Sequence, residues 1–406
     1  MGFKQAKQDN KKSNNNNFLY TELEKLKHSD LYRTLRAVSA DHETGALTVD
    51  GKDISVHLCS NDYLGLSQNA TILRETISCL NQLSQCSSRL IAGNFPELME
   101  LEEKLAQHRC TEASLVYSTG YMANVGVITS IADKETIIIS DQLNHASIID
   151  GCRLSGATVK VFRHNDQVHL QELLQKSQRF KRKVIIVEGV FSMDGDFANL
   201  REICKIAKHN DSIIIVDDAH GDFIFGRTSS NFFSGIPTYL GVNYDIDIHT
   251  SSLSKALGCF GGYVATTSLV REILVNKSRA FIYTSALPRH LCVSALASVT
   301  LAHKGNLQKK LLDNVLLFGD KLKRIGIIQR KPDSQIIPII IGSEKLALEF
   351  SNKLLDDGIF LQAVRYPTVK KGSARLRVSL TASHTRDQLK SAIDSIESIG
   401  RTLKLI

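Results

Sequence analysis

Short apolar runs that alternate with helix-like segments constrain the fold of this chain more than any other feature. Helical patterns cover 99–109 and 199–209 and lie among several β-rich runs. The runs themselves lie at 113–117, 136–139, 158–162, 184–188, 213–216 and 262–266. This alternation is typical of a sheet covered by helices on both faces, so it predicts an α/β fold with a large, doubly wound, mostly parallel sheet. In such sheets ligands bind beyond the carboxyl ends of the strands.

The segments on either side of this repeat predict smaller structures. Residues 18–37 have the pattern of an amphipathic helix, and residues 46–58 have that of a hairpin turning at Asp50-Gly51. A long helical stretch follows at 290–325, with later strands near 336–341 and 375–380 and a closing helix from about residue 385. We therefore predict a disordered tail (1–17), an N-terminal helix and hairpin arm (18–58), a large domain (59–290) and a smaller C-terminal α+β domain (291–406).

Composition narrows the classes of function. With 406 residues, 43% hydrophobic and 23% charged, the chain is long enough for two or three globular domains. The net charge is +8, but no aromatic residues interleave with the lysines of the tail, so we expect no nucleic-acid partner. No apolar stretch approaches the ~20 residues of a membrane span, so we expect no membrane partner.

The eight cysteines are scattered along the chain, and no pair has CxxC spacing. A zinc site or a thioredoxin-like redox pair is therefore not expected, and we predict no metal. Unpaired cysteines without an apolar export signal predict a reducing, cytoplasmic location.

Polar clusters follow several of the predicted strands, where such a sheet places its ligand. Ser118-Thr119-Gly120-Tyr121 opens a predicted helix, and its backbone N–H groups could bind a phosphate, although many helices begin with a plain Ser or Thr cap. Asp217 and Asp218 end a buried strand, where carboxylates are unfavourable unless they are paired or functional. Together with His220 they fit either a site for a pyridine ring or a helix cap with a satisfied histidine.

Lys255 lies among hydroxyls and glycines in TSSLSKALG (250–258), just ahead of Gly261-Gly262. Hydroxyls can bind a phosphate and glycines let the backbone approach a ligand, so Lys255 is a candidate Schiff-base lysine. A P-loop would also end in a lysine, but the GxxxxGK[ST] spacing is absent. His145 follows another strand, and a lone histidine is more often structural than catalytic.

Taken together, these clusters resemble the α-oxoamine synthase family of fold-type-I pyridoxal-phosphate enzymes. The segments that carry the resemblance are SNDYLGLS (60–67), LVYSTGYMAN (115–124), LNHASIIDG (143–151), VEGVFSMDGD (187–196), VDDAHG (216–221), SSLSKALG (251–258), YTSALP (283–288) and RYPTVKKGSARLRVSLTASH (365–384). So many ordered matches are more specific than any one motif. The resemblance implies a fold-type-I transferase with a seven-stranded sheet and with pyridoxal 5'-phosphate (PLP) as cofactor.

The resemblance also implies roles for individual residues. Lys255 would form the Schiff base and move the Cα proton, Asp217 would pair with the pyridinium nitrogen, and His220 would bond the phenolic oxygen. His145, stacked on the ring, would complete the catalytic set. Further cofactor contacts are implied for Gly120, Tyr121, Ser192 and Ser252, and for Thr284 and Ser285 from a neighbouring subunit. Substrate contacts are implied for His145, Asn61, Arg377, Arg36 and Thr368.

Within the family, the C-terminal stretch is most similar to the synthases that join L-alanine to a pimeloyl thioester in biotin biosynthesis, with loss of CO2. The thioester carrier would be coenzyme A or a carrier protein. Glycine C-acetyltransferase and other α-oxoamine synthases are the alternatives. A non-catalytic subunit would be expected to lack Lys255, and an aminotransferase would lack the ordered segments. A homodimer is also implied, because YTSALP reaches the partner's cofactor pocket in relatives.

Some positions depart from the family pattern. The usual glycine-rich run reads Gln85-Cys86-Ser87-Ser88-Arg89-Leu90, without glycine. Leu98 replaces a histidine, Asp222 a threonine, and Arg289 a proline, while Ser252 keeps the hydroxyl of a usual threonine. The first three of these departures border the acyl channel in relatives, so the sequence leaves the acyl-chain length open.

Overall fold

The structure is a computed structural model that describes residues 17–41, 46–229 and 232–406. The predicted disordered tail lies outside these ranges, apart from Asn17. The α-helices are α1 (Asn17–His28), α2 (Ala70–Ser78), α3 (Pro96–Arg109), α4 (Gly120–Ile131), α5 (Ala146–Ser155), α6 (Gln167–Gln175), α7 (Leu200–His209), α8 (Gly235–Tyr239), α9 (Ser268–Lys277), α10 (Arg279–Ile282), α11 (Arg289–Ala302), α12 (Asn306–Arg324), α13 (Glu344–Asp356) and α14 (Arg386–Thr402). The strands are β1 (Val38–Ala40), β2 (Leu47–Val49), β3 (Lys52–Ile54), β4 (Val56–His57), β5 (Ala113–Tyr117), β6 (Thr136–Asp141), β7 (Thr158–Phe162), β8 (Arg182–Glu188), β9 (Ile213–Asp217), β10 (Ile248–Ser252), β11 (Gly262–Thr266), β12 (Ile336–Gly342), β13 (Ile359–Phe360), β14 (Ala363–Val364) and β15 (Ala374–Ser379).

The described residues divide into two compact units. The first contains residues 17–41, 46–57, Ile339–Arg377 and Asp394–Ile406. The second contains the described residues of Leu58–Pro338 together with Val378–Ile393. Helix α11 packs against α2 and α3 and belongs to the second unit.

A seven-stranded sheet forms the centre of the second unit, in the order β5-β11-β10-β9-β8-β6-β7. The pairs from β10 to β7 are parallel, whereas β11 runs antiparallel to both β10 and β5. Helices follow most strands, and α4 packs closely on α5 beside the sheet. These observations confirm the predicted α/β class and the mostly parallel, seven-stranded sheet.

Strand β10 is the member of this sheet that the apolar runs do not reveal. Its sequence is IHTSS, yet all five residues are buried. Two of the polar side chains bond to neighbours: the Thr250 hydroxyl donates to Oδ1 of Asn124 at 2.7 Å, and the Ser251 hydroxyl donates to Asp222 at 2.8 Å. This polar strand leads directly to Lys255.

The first unit confirms the predicted hairpin and shortens the predicted helix. Strands β2 and β3 pair antiparallel around Asp50 and Gly51, whose φ angles are 52° and 78°. Two positive φ angles are the mark of a tight hairpin turn. Helix α1 ends at His28 rather than near residue 37, and Arg365 bonds the carbonyl groups of Asp30 and Tyr32 in the extended chain beyond it.

The other predicted elements are also present. The expected strands near 336–341 and 375–380 are β12 and β15, and the closing helix is α14. The long helical stretch is two helices, α11 and α12, which separate at Gly305 with a φ of 80°. Among the described residues, no helix has both the length and the apolar character needed to cross a membrane.

Candidate active site

A pocket opens in the second unit at the carboxyl ends of β8, β9 and β10. The first residues of α4 and the cap of α5 complete its wall. The lining residues are Thr119, Gly120, Tyr121, Asn124, His145, Ser147, Glu188, Asp217, Ala219, His220, Ser252, Ser254 and Lys255. Seven of the residues predicted from the sequence therefore meet here, namely Gly120, Tyr121, His145, Asp217, His220, Ser252 and Lys255.

Lys255 lies on the turn after β10 and contacts His220. Its Nζ is 2.8 Å from Nε2 of His220, and Nδ1 of that ring is 2.7 Å from the hydroxyl of Tyr63. The Tyr63 hydroxyl donates its single proton to Oδ1 of Asn61 at 3.0 Å. With Nδ1 in contact with Tyr63, Nε2 of His220 is the ring nitrogen that faces Lys255. A chain of hydrogen bonds thus fixes the histidine beside the lysine.

Asp217 ends β9 and is held by contacts from two directions. Its Oδ2 accepts from Nδ2 of Asn124 at 2.6 Å, and its Oδ1 accepts from the backbone N–H of Ala219 at 3.1 Å. Asn124 also donates to the Ser147 hydroxyl at 2.9 Å. A buried carboxylate that is fixed in this way is suited to bind a cationic N–H group of a ligand.

The first turn of α4 forms an anion site with two serines. Thr119 caps this 12-residue helix, accepting from the N–H of Met122 at 3.1 Å. A Cβ on Gly120 would lie 3.2 Å from that of Ser252, whose hydroxyl contacts the Ser254 hydroxyl at 2.8 Å. Because a helix N-terminus presents free N–H groups and a positive dipole end, this cradle fits a phosphate.

His145 caps α5 and also lines the pocket. Its Nδ1 accepts from the N–H of Ser147 at 3.2 Å and lies 2.7 Å from that residue's hydroxyl. Desolvation by the surrounding protein lowers the pKa of His145; the charge of Asp217 opposes this shift and that of Lys255 adds to it. The ring is therefore neutral at pH 7, and its side chain remains exposed to the pocket.

Glu188 ends β8 and pairs in register with Asp217 on β9. Its Oε2 accepts from the N–H of Ser192 at 3.1 Å. Burial raises the pKa of Glu188 to about 8, with the charge of Asp217 as the next cause, while Lys255 opposes the shift. The carboxyl group is therefore protonated at neutral pH, next to the carboxyl group of Asp217.

This arrangement can be compared with known proteins. The family model described as aminotransferase class I and II matches residues 53–396. The chain belongs to this family. Relatives named 8-amino-7-oxononanoate synthase, from Thermoanaerobacter pseudethanolicus and Geotalea daltonii, are 39% and 38% identical over 96% and 94% of this chain and 98% and 97% of their own lengths.

Two solved structures extend the comparison of this aminotransferase-family chain. Serine palmitoyltransferase from S. paucimobilis, with bound PLP–myriocin, has a TM-score of 0.90 and 28% identity over 97% of this chain and 99% of its own. The 8-amino-7-oxononanoate synthase from Francisella tularensis has a TM-score of 0.74 and 27% identity over 86% of this chain and 99% of its own. These findings confirm the fold-type-I prediction and the resemblance to α-oxoamine synthases.

The pocket fits PLP, the cofactor that the α-oxoamine synthase resemblance implies. The cofactor has a phosphate, a basic ring nitrogen and an aldehyde that reacts with a lysine amine. In the pocket, the first turn of α4 could hold the phosphate, Asp217 the ring nitrogen and Lys255 the aldehyde. Among the described residues, no group of three or more His, Cys, Asp or Glu side chains is arranged to hold a metal ion.

Other predicted cofactor residues of this aminotransferase-family chain lie outside the pocket lining. The backbone N–H of Ser192 donates to Oε2 of the lining residue Glu188. Thr284 and Ser285 line a separate cavity, where the Ser285 carbonyl accepts from the Ser118 hydroxyl at 3.1 Å. Asn61 reaches the pocket through Tyr63, as described above. Tyr121 lines the pocket, but its hydroxyl donates outward to Asp150 at 2.7 Å.

The remaining predicted substrate residues belong to the first unit. Arg36 donates to Asp50 and to Asn352, both at 2.9 Å. The Thr368 hydroxyl accepts from Arg33 at 3.1 Å, and Arg377 is half-buried in β15. Their roles toward substrate stay predictions.

The structure explains Asp222, one of the departures from the family pattern. Its carboxylate contacts Nε2 of His108 at 2.8 Å, Nη2 of Arg109 at 3.0 Å and the hydroxyl of Tyr263. Arg109 also donates to Asp218 at 2.9 Å, and all five side chains are buried. Arg109 and His108 outweigh burial and hold the pKa of Asp222 far below its usual value. This cluster, His108–Arg109–Asp218–Asp222–Tyr263, supports the turn that carries His220.

The other departures have local explanations. Cys86 has a φ of 51°, a left-handed conformation that glycine adopts most readily. Leu98 is fully buried in α3. Arg289 begins α11 and donates from Nε to Oε1 of Glu97 at 2.8 Å.

Several pocket residues were not singled out from the sequence. Glu188 could have been found by the rule that identified Asp217, because it is also a carboxylate at the end of an apolar strand. Tyr63 and Asn124 occur inside matched segments, but no positional rule marks them, since their importance comes from contacts with distant residues.

Proposed function

We propose that this chain is a PLP-dependent synthase that condenses L-alanine with a pimeloyl thioester to form 8-amino-7-oxononanoate. The thiol carrier and CO2 leave in the same reaction. The observation that carries the proposal is the pocket that joins Lys255, His220 and Asp217 in a chain whose near-full-length relatives carry this name. The place of the reaction is biotin biosynthesis.

Asp217, His145 and the α4 cradle bind and orient the cofactor. Asp217 holds the ring nitrogen in its protonated state, and Asn124 keeps the carboxylate in place at 2.6 Å. Gly120, with the hydroxyl of Ser252, receives the phosphate, and the neutral His145 ring offers a flat surface for stacking. When bound, PLP supplies an electron sink that stabilises negative charge at the substrate Cα.

Lys255 performs two tasks in turn. It would first hold the cofactor through its Nζ and would become a free amine once the substrate amino group took its place. As a free amine it removes the Cα proton of L-alanine, which lets Cα form a bond to the thioester carbonyl while the thiol leaves. His220, 2.8 Å from Nζ, orients the amine and accepts its hydrogen bond. After CO2 is lost from the β-keto acid, Lys255 returns the proton.

Arg377 and Asn61 would hold the substrate carboxylate, and Arg36 and Thr368 would lie near the acyl chain. A guanidinium binds a carboxylate through two parallel hydrogen bonds, which would fix the orientation of L-alanine. These assignments rest on the matching sequence positions.

We propose a homodimer in which Thr284 and Ser285 complete the phosphate site of the partner subunit. In support, both residues line a cavity separate from the pocket of their own chain. A cytoplasmic location is proposed because all eight cysteines are free. Sedimentation combined with activity assays tests the dimer, and a fully active monomer would contradict it.

An absorbance titration tests the proposed function. PLP is added to the purified protein, followed by L-alanine and then pimeloyl-CoA, and thiol release is monitored. We expect visible absorption of bound cofactor in the wild type but not in Lys255→Ala, and thiol release that requires both substrates. Glycine with acetyl-CoA and serine with palmitoyl-CoA are parallel arms, and thiol release confined to either of them would overturn the assigned substrates.

A further inference from the structure

Glu188 is a buried pocket residue that the mechanism above does not use. Its side chain is in the pocket lining, and the residue is only 2% exposed. Oε2 accepts from the N–H of Ser192, whereas Oε1 is buried and has no hydrogen-bond partner of normal geometry among the described residues. Buried polar atoms almost always have partners, so an unpaired oxygen in a ligand pocket indicates that a ligand group supplies the partner.

The neighbours of Glu188 determine its charge. Glu188 and Asp217 are register partners on adjacent parallel strands, so their side chains project from the same face of the sheet, about 5 Å apart at the backbone. Two buried carboxylates at this spacing cannot both stay ionised without compensation. Lys255 and the histidines His145 and His220 are the basic residues of the lining, and Lys255 loses its free ammonium whenever it holds the cofactor.

The contacts of the two acids differ in a way that assigns the proton. Asp217 accepts from the side chain of Asn124 and from a backbone N–H, which favours the ionised form. Glu188 accepts from the N–H of Ser192 and has no side-chain donor like Asn124, although the backbone N–H groups of Ser192 and His145 both act to lower its pKa. Burial raises the pKa of Glu188 to about 8, which agrees with this assignment.

We propose that Glu188 is a cofactor-binding residue that acts as an un-ionised carboxylic acid, with its free oxygen donating a hydrogen bond into the pocket. Asp217 then carries the only negative charge of the pair, opposite the ring nitrogen. This inference rests on the proposed PLP chemistry. The protonated state of Glu188 is also expected in the cofactor-free chain, so it can be tested separately from PLP binding.

The pH dependence of stability tests the un-ionised state in the full-length, cofactor-free chain. A folded-state pKa raised above the unfolded value means that wild-type stability falls as pH rises between the two values and levels off above about 8. Glu188→Gln has no proton to lose, so its melting temperature relative to wild type should rise from pH 5 to pH 8 and then stay constant. Glu97→Gln, at the half-buried ion pair with Arg289 outside the pocket, is the control. A flat difference between Glu188→Gln and wild type would overturn the proposal.

PLP affinity tests the contact with the cofactor. Glu188→Gln keeps a donor of the same shape, so its dissociation constant should stay within about threefold of wild type, whereas Glu188→Ala should weaken binding about tenfold, the effect of one lost hydrogen bond. Equal affinity in all three proteins would overturn the contact. If wild type bound no PLP but the stability series behaved as expected, the cofactor assignment would be wrong. The un-ionised state of Glu188 beside Asp217 would still be supported.

Discussion

Nδ1 of His220 and the hydroxyl of Tyr63 lie 2.7 Å apart, so the ring that contacts Lys255 is positioned by a tyrosine from a distant part of the chain. Tyr63→Phe should lower turnover about fivefold, the effect of one hydrogen bond near 1 kcal/mol, while KM changes little. Steady-state kinetics with L-alanine measures this. Tyr244→Phe, at an exposed position, should match wild type. An unchanged turnover number in Tyr63→Phe would show that Tyr63 does not position the ring.

Asn124→Ala should destabilise the protein and weaken the cofactor site together. The substitution removes the bond to Asp217 and leaves the Thr250 and Ser147 hydroxyls without their amide partner. Stranding buried polar groups costs about 1–3 kcal/mol. Urea unfolding measures the stability change and a PLP titration the affinity. Asn276→Ala, on an exposed face of α9, serves as the control.

His164 should make stability depend on alkaline pH. Its Nδ1 lies 3.0 Å from Asp141 and its Nε2 lies 2.9 Å from Asp196. Burial lowers the pKa of His164, but hydrogen bonds to the two carboxylates outweigh this and raise it to about 10. Because the folded-state pKa is raised, the stabilisation is complete below about pH 6.5 and is lost as pH rises toward 10.

Melting curves from pH 6 to pH 10.5 test this dependence against His164→Gln. The wild type should lose its advantage over the variant across this range. A constant difference would contradict the assigned protonation of His164. Asp196, the partner of His164, lies in the same loop as Ser192, so weaker PLP binding at high pH should accompany the loss.

Asp222→Ala should be among the most damaging substitutions outside the pocket. It removes the partner of Arg109 and His108 in a fully buried cluster, and breaking such a pair costs about 3–5 kcal/mol. Chemical denaturation gives the free energy of unfolding. Asp222→Asn keeps an acceptor for His108 and Tyr263, so it should lose less stability than Asp222→Ala, and an equal loss would argue against a role for those hydrogen bonds.

Arg289→Pro should change the melting temperature little. Residue 289 is the first of α11, where proline is favoured, and Pro288 before it has a ψ of 143°, which a following proline requires. The lost contact to Glu97 is near the surface, where ion pairs contribute little. A large drop in melting temperature would instead assign Arg289 a structural role.

The sequence predicted the sheet and the residues at its carboxyl edge, because both follow from local patterns. Apolar runs revealed six strands, the position after a strand identified Asp217 and His220, and the surrounding hydroxyls and glycines identified Lys255. Strand β10 was missed because its burial depends on bonds from Asn124 and Asp222 rather than on apolar side chains. Local patterns do not carry such long-range compensation.

Asp222 is a second residue whose role depends on contacts that local sequence patterns do not reveal. From the sequence it was a departure without explanation, and only the fold brings His108 and Arg109 against it, more than 100 positions away. The assignment of α11 to the second unit could not be predicted from the sequence, since it depends on contacts of α11 with other helices.

The reversed direction of β11 has a kinetic consequence. Lys255 lies between two antiparallel neighbours, and the turn is closed by the N–H of Leu253 to the Gly261 carbonyl at 3.0 Å and by the N–H of Gly258 to the Lys255 carbonyl at 2.9 Å. The backbone of Lys255 is thus held in place, and the side chain can leave and return to the cofactor by rotating its own bonds. Because rotamer changes take picoseconds to nanoseconds, the return of Lys255 should not limit turnover.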